Sequence, residues 1–175
     1  IALGGPYGDG RAWWNIDVGR FQIAMMKGEV EELVREKPEG LDESRALVEE
    51  MLDTLEKEGT PRSRVVLGGF SQGSMLALDV TLRAKNPPAG LVLLSSTLIA
   101  ADEWRPLMSN RKGFRVLQSH GREDPILPFE VATELRDELV KAGMGIQFIE
   151  FRGGHGIPPQ VVDAMGVYLR QLALV

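Results

Sequence analysis

Apolar residues change their spacing along the chain, and from about residue 41 onward helical spacing alternates with short continuous apolar runs. The first long helix is predicted by five apolar residues that share one helical face: Leu47, Val48, Met51, Leu52 and Leu55. The Gly59-Thr60-Pro61 sequence should end this helix, because glycine and proline are common just beyond a helix. The alternation is typical of an α/β chain.

Four short apolar runs predict buried strands, at residues 64–69, 91–94, 115–118 and 146–151. A helix should follow the first strand from residue 72 to about 85, where Asn86-Pro87-Pro88 stops it. Another helix should follow Pro128, with Val131, Leu135 and Leu139 on one face and a stop at Gly143. The last helix should open at Pro158-Pro159 with these residues on one face: Val162, Met165, Leu169 and Leu172. Residues 1–40 are less regular, with one short acidic helix around residues 30–34.

Strands that are buried on both sides and separated by helices predict a mostly parallel sheet with helices on both of its faces. The chain has 175 residues, of which 43% are hydrophobic, so we expect one domain over residues 1–175. It begins at Ile1 rather than at methionine. We therefore expect an N-terminally incomplete chain, and an upstream signal peptide remains an open alternative.

Composition narrows the classes of partner. The net charge of -5 and the lack of basic runs argue against a nucleic-acid or anionic-membrane partner. There is no cysteine, which removes disulfides and thiolate chemistry and is compatible with a reducing cytoplasm. No apolar stretch approaches the ~18 residues that span a bilayer.

The sequence GGFSQGS at residues 68–74 stands where the first strand should turn into a helix. A phosphate-binding P-loop is excluded because Ser74-Met75 occupies the place of its Lys-Ser/Thr pair, and G-x-G-x-x-G is absent from this turn. Residues 69–73 instead form G-x-S-x-G, the turn that exposes a nucleophilic serine. The glycines on either side of Ser71 should let strand and helix approach closely.

A serine nucleophile needs a base to take its proton and a carboxylate to orient that base. His155 lies in a Gly-rich loop directly after the fourth strand, and Asp124 lies in a loop after the third. The order Ser71, Asp124, His155 is that of the α/β-hydrolase triad. Glu123 is an alternative acid, and no cofactor is required.

The other histidine, His120, is interpreted as structural, because it lies too close in sequence to Asp124 to bridge that residue to Ser71. A metal site built from His120, Asp124 and His155 is disfavoured, since their spacing matches no common ligand pattern.

Three segments carry a resemblance to a known family: GGFSQGSMLALDV, SHGREDPILP and GGHGIPP. They resemble the nucleophile, acid and histidine segments of the phospholipase/carboxylesterase family, which includes acyl-protein thioesterases and lysophospholipases. RAWWNID also resembles a family segment, with Trp14 in the aromatic place and Asn15 in place of the usual aspartate. The resemblance runs from about Gly10 to the C-terminus and implies an α/β-hydrolase fold with Ser71 as nucleophile, Asp124 as acid and His155 as base.

The resemblance also implies N-terminal strands and a His-Gly loop that the chain lacks. Of two expected oxyanion-hole donors, the sequence supplies the backbone N–H of Gln72, and the second is unknown. The glycine-rich Leu3-Gly4-Gly5 stretch is one alternative source. With no second donor, the protein would be a non-catalytic α/β-hydrolase-like binding domain.

The resemblance implies a small-molecule substrate, an ester or thioester with a small to medium acyl group, and a possible homodimer. Four apolar residues near the catalytic edge are candidates for substrate binding: Trp13, Leu98, Leu127 and Ile157. Ser96-Thr97 stands where relatives commonly have Ser-Gly, so the resemblance does not define this part of the pocket wall. A dienelactone-hydrolase-like or peptidase activity is an alternative among serine hydrolases.

Overall fold

The computed structural model describes residues 11–15, 18–28 and 30–173. Seven helices lie in this part of the chain: α1 (Val18–Lys27), α2 (Val30–Arg35), α3 (Leu41–Lys57), α4 (Gln72–Arg83), α5 (Ala101–Met108), α6 (Phe129–Lys141) and α7 (Pro159–Ala173). It also holds four strands: β1 (Val66–Phe70), β2 (Gly90–Leu94), β3 (Arg115–Gly121) and β4 (Gly145–Phe151). All four predicted strands are present, although β3 continues three residues beyond its predicted end. None of the described helices is long and apolar enough to cross a membrane.

The four strands form one parallel sheet in the order β1-β2-β3-β4. β2 is buried along its whole length and β3 nearly so, whereas β1 and β4 contain exposed residues. The expectation of full burial therefore holds for the two central strands only. Among the described residues, β1 and β4 each have one neighbouring strand, which leaves them more open to solvent.

Successive residues of the central strands face opposite cores, as the two-residue repeat of a strand requires. Leu91 and Leu93 belong to a core that also contains buried residues of α3, α4, α5 and α6. Val92 and Leu94 belong to a second core, with Val161 and Tyr168 of α7. Helices thus cover both faces of a parallel sheet, as the sequence predicts.

The side chain of Tyr168 fastens α7 to the sheet. Its hydroxyl accepts a hydrogen bond from the Leu91 N–H at 3.1 Å and donates one to the Arg115 carbonyl at 2.8 Å. A Cβ at Gly90 would lie 2.5 Å from the Tyr168 hydroxyl, so glycine makes room for this contact. The helix is therefore held by polar as well as apolar contacts.

Most of the apolar face predicted for α3 is exposed to solvent. Leu47, Met51 and Leu55 are exposed, whereas Leu41 and Leu52 are buried. Contact with α4 turns residues 41, 44, 48 and 52 inward, a face rotated from the predicted stripe. Packing against α4, not apolar spacing alone, decides which face of α3 is covered.

The predicted face of α7 is likewise only partly correct. Val162 and Leu169 are exposed, while Val161 and Tyr168 are buried and Met165 and Leu172 pack partly against the second core. The tyrosine hydroxyl finds two backbone partners at the sheet. Because of these two hydrogen bonds, the buried face of α7 is shifted by about one residue from the face that the aliphatic residues predict.

Two described helices, α1 and α5, have no counterpart in the sequence prediction. α5 has only eight residues and carries a proline at position 106, although its buried Ala101, Trp104 and Met108 have helical spacing. Its buried Trp104 donates a hydrogen bond from Nε1 to the Asp79 carboxylate on α4 at 2.7 Å. This tertiary contact helps to stabilise a helix that is too short to be stable by itself.

Candidate active site

Ser71 lies in the sharp turn between β1 and α4 with a backbone conformation of φ 52° and ψ -123°. Such a positive φ is costly for a residue other than glycine. A Cβ at Gly69 would lie 2.2 Å from the carbonyl carbon of Gly73, so alanine cannot occupy position 69 unless the turn shifts. At Gly73 a Cβ would meet only Trp13 Nε1 at 3.7 Å, an ordinary contact. The turn therefore requires glycine before the serine but not after it.

The first turn of α4 leaves amide groups near Ser71. The Ser74 and Met75 amides donate to the Ser71 carbonyl, at 2.9 and 3.3 Å. In the described part of the chain, the Gln72 and Gly73 amides make no such bond. A helix N-terminus with free N–H groups favours negative charge. This is the place where the Gln72 amide is expected to stabilise an oxyanion.

Asp124 lies in the loop that follows β3 and is nearly fully buried. Its Oδ1 accepts hydrogen bonds from the amides of Ile126 and Leu127, each at 2.9 Å. These two bonds hold the carboxylate in one orientation, as Asp side chains often do in turns. They also leave Oδ2 directed toward a different partner.

That partner is His155, whose Nδ1 lies 2.7 Å from Asp124 Oδ2. The loop after β4 reaches this position because Gly121 has no side chain: a Cβ there would lie 2.3 Å from the Gly154 carbonyl oxygen. On its other side the imidazole packs against Phe70, with ring centroids 4.7 Å apart. Two different contacts thus define the position of the His155 ring.

Ser71 and His155 line the same cavity, which has a volume of about 610 Å³. No hydrogen bond joins the Ser71 hydroxyl to His155 among the interactions of the described residues. Such contacts are often long before substrate binds and tighten in the complex. The structure therefore brings Asp124 and His155 into direct contact and places Ser71 beside the same cavity.

Apolar side chains form most of the inner wall of this cavity: Trp14, Leu33, Val34, Met75, Leu98, Ile99, Ile126 and Leu127. Exposed charged residues contribute as well, including Arg20 and Glu36, which form a two-bond ion pair at 2.8 and 2.6 Å. Volumes of this size are typical of sites for small molecules. The wall suits an apolar group next to Ser71.

Two of the four predicted substrate-binding residues lie in this cavity and two do not. Leu98 and Leu127 line it. Trp13 instead lines a second cavity of about 520 Å³, which Ser71, Phe70 and Gly73 also line. Ile157 lines neither cavity and is 42% exposed. The substrate-binding role of all four residues stays a prediction.

Sequence reasoning missed Trp14, Ile126 and Phe70 as residues of the site. Trp14 is buried in the cavity wall where Trp13 was expected. Ile126 follows Asp124 by two residues, and Phe70 precedes Ser71, so proximity to the candidate residues was the available signal. Thr97, which stands where relatives commonly have glycine, is buried and lines the cavity.

Glu123, the alternative acid, has a different partner. Its carboxylate accepts a hydrogen bond from the Gly153 amide, and its backbone N–H donates to the Gly153 carbonyl at 3.0 Å. These contacts hold the loop that carries His155. In the described chain the His155 ring is bonded to Asp124 and not to Glu123.

His120 is fully buried, and its Nε2 lies 2.7 Å from the Leu127 carbonyl oxygen. Burial lowers the pKa of His120, and this effect outweighs the opposing influence of Asp124, whose Oδ2 lies 3.4 Å from Nε2. The neutral ring then donates from Nε2 to Leu127. This contact supports the Asp124 loop.

The sequence of this chain matches a known protein family. A model of the family described as Phospholipase/Carboxylesterase matches residues 22–173. The chain belongs to this family. Among curated proteins, this chain is similar to acyl-protein thioesterase 1 of Neurospora crassa, to which it is 30% identical over 158 residues. Acyl-protein thioesterase 1 of Gibberella zeae is 34% identical over 160 residues.

Each match covers 87% of this chain, but only 64% of the Neurospora protein and 67% of the Gibberella protein. The chain spans about two thirds of the length of these curated relatives.

Solved structures show the same fold. Esterase PE8 superposes with a TM-score of 0.74 at 22% identity and covers 97% of this chain and 73% of its own. Arabidopsis thaliana SOBER1 gives a TM-score of 0.68 at 24% identity, over 77% of this chain and 65% of its own. Together with the family match, they confirm the α/β-hydrolase fold expected from the sequence.

Proposed function

We propose that the protein is a serine hydrolase of carboxylic esters or thioesters that works through Ser71, His155 and Asp124. The observation that best supports this proposal is the 2.7 Å contact between Asp124 and His155 beside a cavity that Ser71 also lines. A strained nucleophile turn at the N-terminus of α4 adds to it. These are the parts that an acyl-transfer mechanism needs.

In the proposed first step, Ser71 Oγ attacks the acyl carbonyl carbon while His155 Nε2 takes the hydroxyl proton. Asp124 accepts the Nδ1–H bond and stabilises the imidazolium that forms. The Gln72 amide donates to the oxyanion of the tetrahedral intermediate. The intermediate collapses as His155 returns the proton to the leaving alcohol or thiol, which leaves an acyl-serine.

In the second step, His155 takes a proton from water, whose oxygen attacks the acyl-serine carbonyl carbon. The second intermediate breaks the bond to Ser71 Oγ, which regains its proton from His155. The acid product leaves and the enzyme is restored. The alternative source of a second oxyanion donor, Leu3-Gly4-Gly5, lies outside the described residues.

The substrate class is proposed from the wall of the cavity. Eight apolar residues favour a small to medium acyl chain over a charged group. The names of the two fungal relatives support thioesters, and the description of the family supports carboxylic esters. We place the activity in the cytoplasm, which agrees with the absence of cysteine.

The test measures hydrolysis of p-nitrophenyl butyrate and of a butyryl thioester, together with labelling by a fluorophosphonate. Ser71→Ala and His155→Ala should each lower kcat/KM by about 10³-fold or more, and Ser71→Ala should abolish labelling. Asp124→Asn should lower kcat with little change in KM, because it disturbs the orientation of His155 and not substrate binding.

Matched controls are His120→Gln, Glu123→Gln and Ser109→Ala, which change the second histidine, the neighbouring acid and an exposed serine. Each should keep most of the activity and the labelling. Full activity of Ser71→Ala would disprove the mechanism. A folded protein that hydrolyses none of these substrates would favour a binding domain, and activity on a lactone or peptide alone would favour the other serine-hydrolase classes.

A further inference from the structure

The side chain of Gln72 holds a backbone segment that is distant in sequence. Its Oε1 accepts a hydrogen bond from the Trp13 N–H and its Nε2 donates one to the Trp14 carbonyl, both at 2.8 Å. The two bonds span 59 and 58 positions of the chain. The Gln72 residue is buried, so water competes little for these bonds.

A third bond holds the same segment from another helix. Ser44, on α3, donates from Oγ to the Trp13 carbonyl at 2.7 Å. The backbone at residues 13–14 is therefore fixed from α4 on one side and from α3 on the other.

The segment matters because Trp14 forms part of the wall of the cavity that Ser71 and His155 line. Trp14 is 2% exposed. Gln72 directly follows the nucleophile, so its side chain links the position of this indole to the turn that positions Ser71. A shift of the segment would change the space beside Ser71 without changing the residues that react.

We infer that Gln72 is a specificity-determining positioning residue, whose side chain sets the position of Trp14 and so the size of acyl chain that the cavity accepts. This inference rests on the proposed hydrolase function. It is separate from the role of the Gln72 backbone N–H, which any residue except proline supplies at this position.

Chemistry explains why a carboxamide stands here. The segment presents one donor and one acceptor, and a carboxamide can pair with both at once, through its carbonyl oxygen and its NH₂ group. Glutamate at position 72 would keep the acceptor but lack the donor for the Trp14 carbonyl. Leucine would lose both bonds and leave two backbone groups without their partners.

The experiment compares kcat/KM for p-nitrophenyl acetate and p-nitrophenyl octanoate in Gln72→Leu and Gln72→Glu. When Trp14 is no longer held, kcat/KM for the octanoate ester should fall by about tenfold or more. The value for the acetate ester should change by less than about threefold, since only the longer acyl chain reaches the indole. Ser44→Ala, which removes the third bond from outside the cavity, should shift the same ratio in the same direction but less.

Gln118→Leu is the matched control, because Gln118 is also a buried glutamine and donates to the Ala132 carbonyl at 2.9 Å. It should leave the octanoate-to-acetate ratio within about twofold, although it also removes a buried hydrogen bond. A loss of stability alone would lower kcat/KM for both substrates by the same factor. An unchanged ratio in folded Gln72→Leu and Gln72→Glu would overturn the inference.

Acrylamide quenching gives a readout that does not need catalysis. Of the three tryptophans, Trp13 is 38% exposed, whereas Trp14 and Trp104 are buried. Gln72→Leu should raise the quenchable fraction of the fluorescence, and Gln118→Leu should not. If the wild-type protein hydrolyses neither ester, the proposed function fails, and unchanged quenching in Gln72→Leu would then show separately that Gln72 does not hold Trp14.

Discussion

At the scale of single residues, the backbone of Ser71 is held in a strained conformation from both sides. Its N–H donates to the Leu94 carbonyl at 2.8 Å, and its carbonyl accepts from the Ser74 amide at 2.9 Å. Strain of this kind costs about 1–3 kcal/mol and persists only where the surroundings enforce it. Here the sheet holds one end of the residue and the helix holds the other.

A matched pair of glycine substitutions tests this turn. Gly69→Ala should destabilise the protein by about 1–3 kcal/mol and greatly lower fluorophosphonate labelling, because the new Cβ overlaps the Gly73 backbone. Gly73→Ala should keep the fold and most of the labelling. Thermal unfolding and labelling rates measure the two effects.

Equal damage from both substitutions would contradict this reading of the turn. The G-x-S-x-G pattern itself treats the two glycines alike. Only the tertiary structure distinguishes them, since the overlap at position 69 depends on how closely α4 approaches the end of β1.

At the scale of elements, the buried carboxylate of Asp79 connects three helices. It accepts hydrogen bonds from Arg45 on α3 at 2.9 Å, from Arg83 on α4 at 2.9 Å and from Trp104 on α5 at 2.7 Å. A buried charge needs such partners to offset the loss of water. This cluster ties α3 and α5 to α4, the helix that begins at the nucleophile turn.

Asp79→Ala should therefore lower the free energy of unfolding by about 3–5 kcal/mol, since two half-buried arginines lose their common partner. Urea unfolding measures the change. Asp102→Ala is the control: this exposed residue on α5 lies 3.9 Å from Arg35, and its loss should cost less than about 0.5 kcal/mol. A small effect at Asp79 would mean that the helices are held by apolar packing alone.

α5 was not predicted because it is only eight residues long and contains Pro106, which argues against a helix although Ala101, Trp104 and Met108 have helical spacing. The longer helices from residue 41 onward were predicted, although α3 and α7 are rotated from their predicted faces. Helical spacing indicates that a helix exists more reliably than which side of it is buried.

At the scale of the whole molecule, His120 links stability to pH. Burial lowers the pKa of His120 in the folded state below its ordinary value of 6.5. Between the two values the unfolded chain binds more protons, so the free energy of unfolding falls as pH decreases from about 6.5. This contribution is fully present above pH 6.5 and is lost on acidification.

Urea unfolding at pH 7.5 and pH 5.5 should show this loss, with a slope of at most about 1.4 kcal/mol per pH unit from this group. His120→Gln keeps a donor for the Leu127 carbonyl but does not titrate, so its stability should change less over the same range. If the free energy of unfolding changes equally with pH in the wild-type protein and in His120→Gln, His120 does not contribute to the pH dependence. Carboxylates titrate mainly below about pH 5 and affect both proteins alike.

The amino-acid sequence alone determined the order of strands and helices from residue 41 to the last helix, apart from α5, and the candidates Ser71, Asp124 and His155. These follow from the local spacing of residues and from their order along the chain, and the sequence contains both. Only the tertiary structure decided that Trp14 rather than Trp13 lines the cavity, and that Gln72 holds the segment containing both. The physical reason is that these contacts join residues nearly 60 positions apart, and their geometry depends on how α3 and α4 pack together.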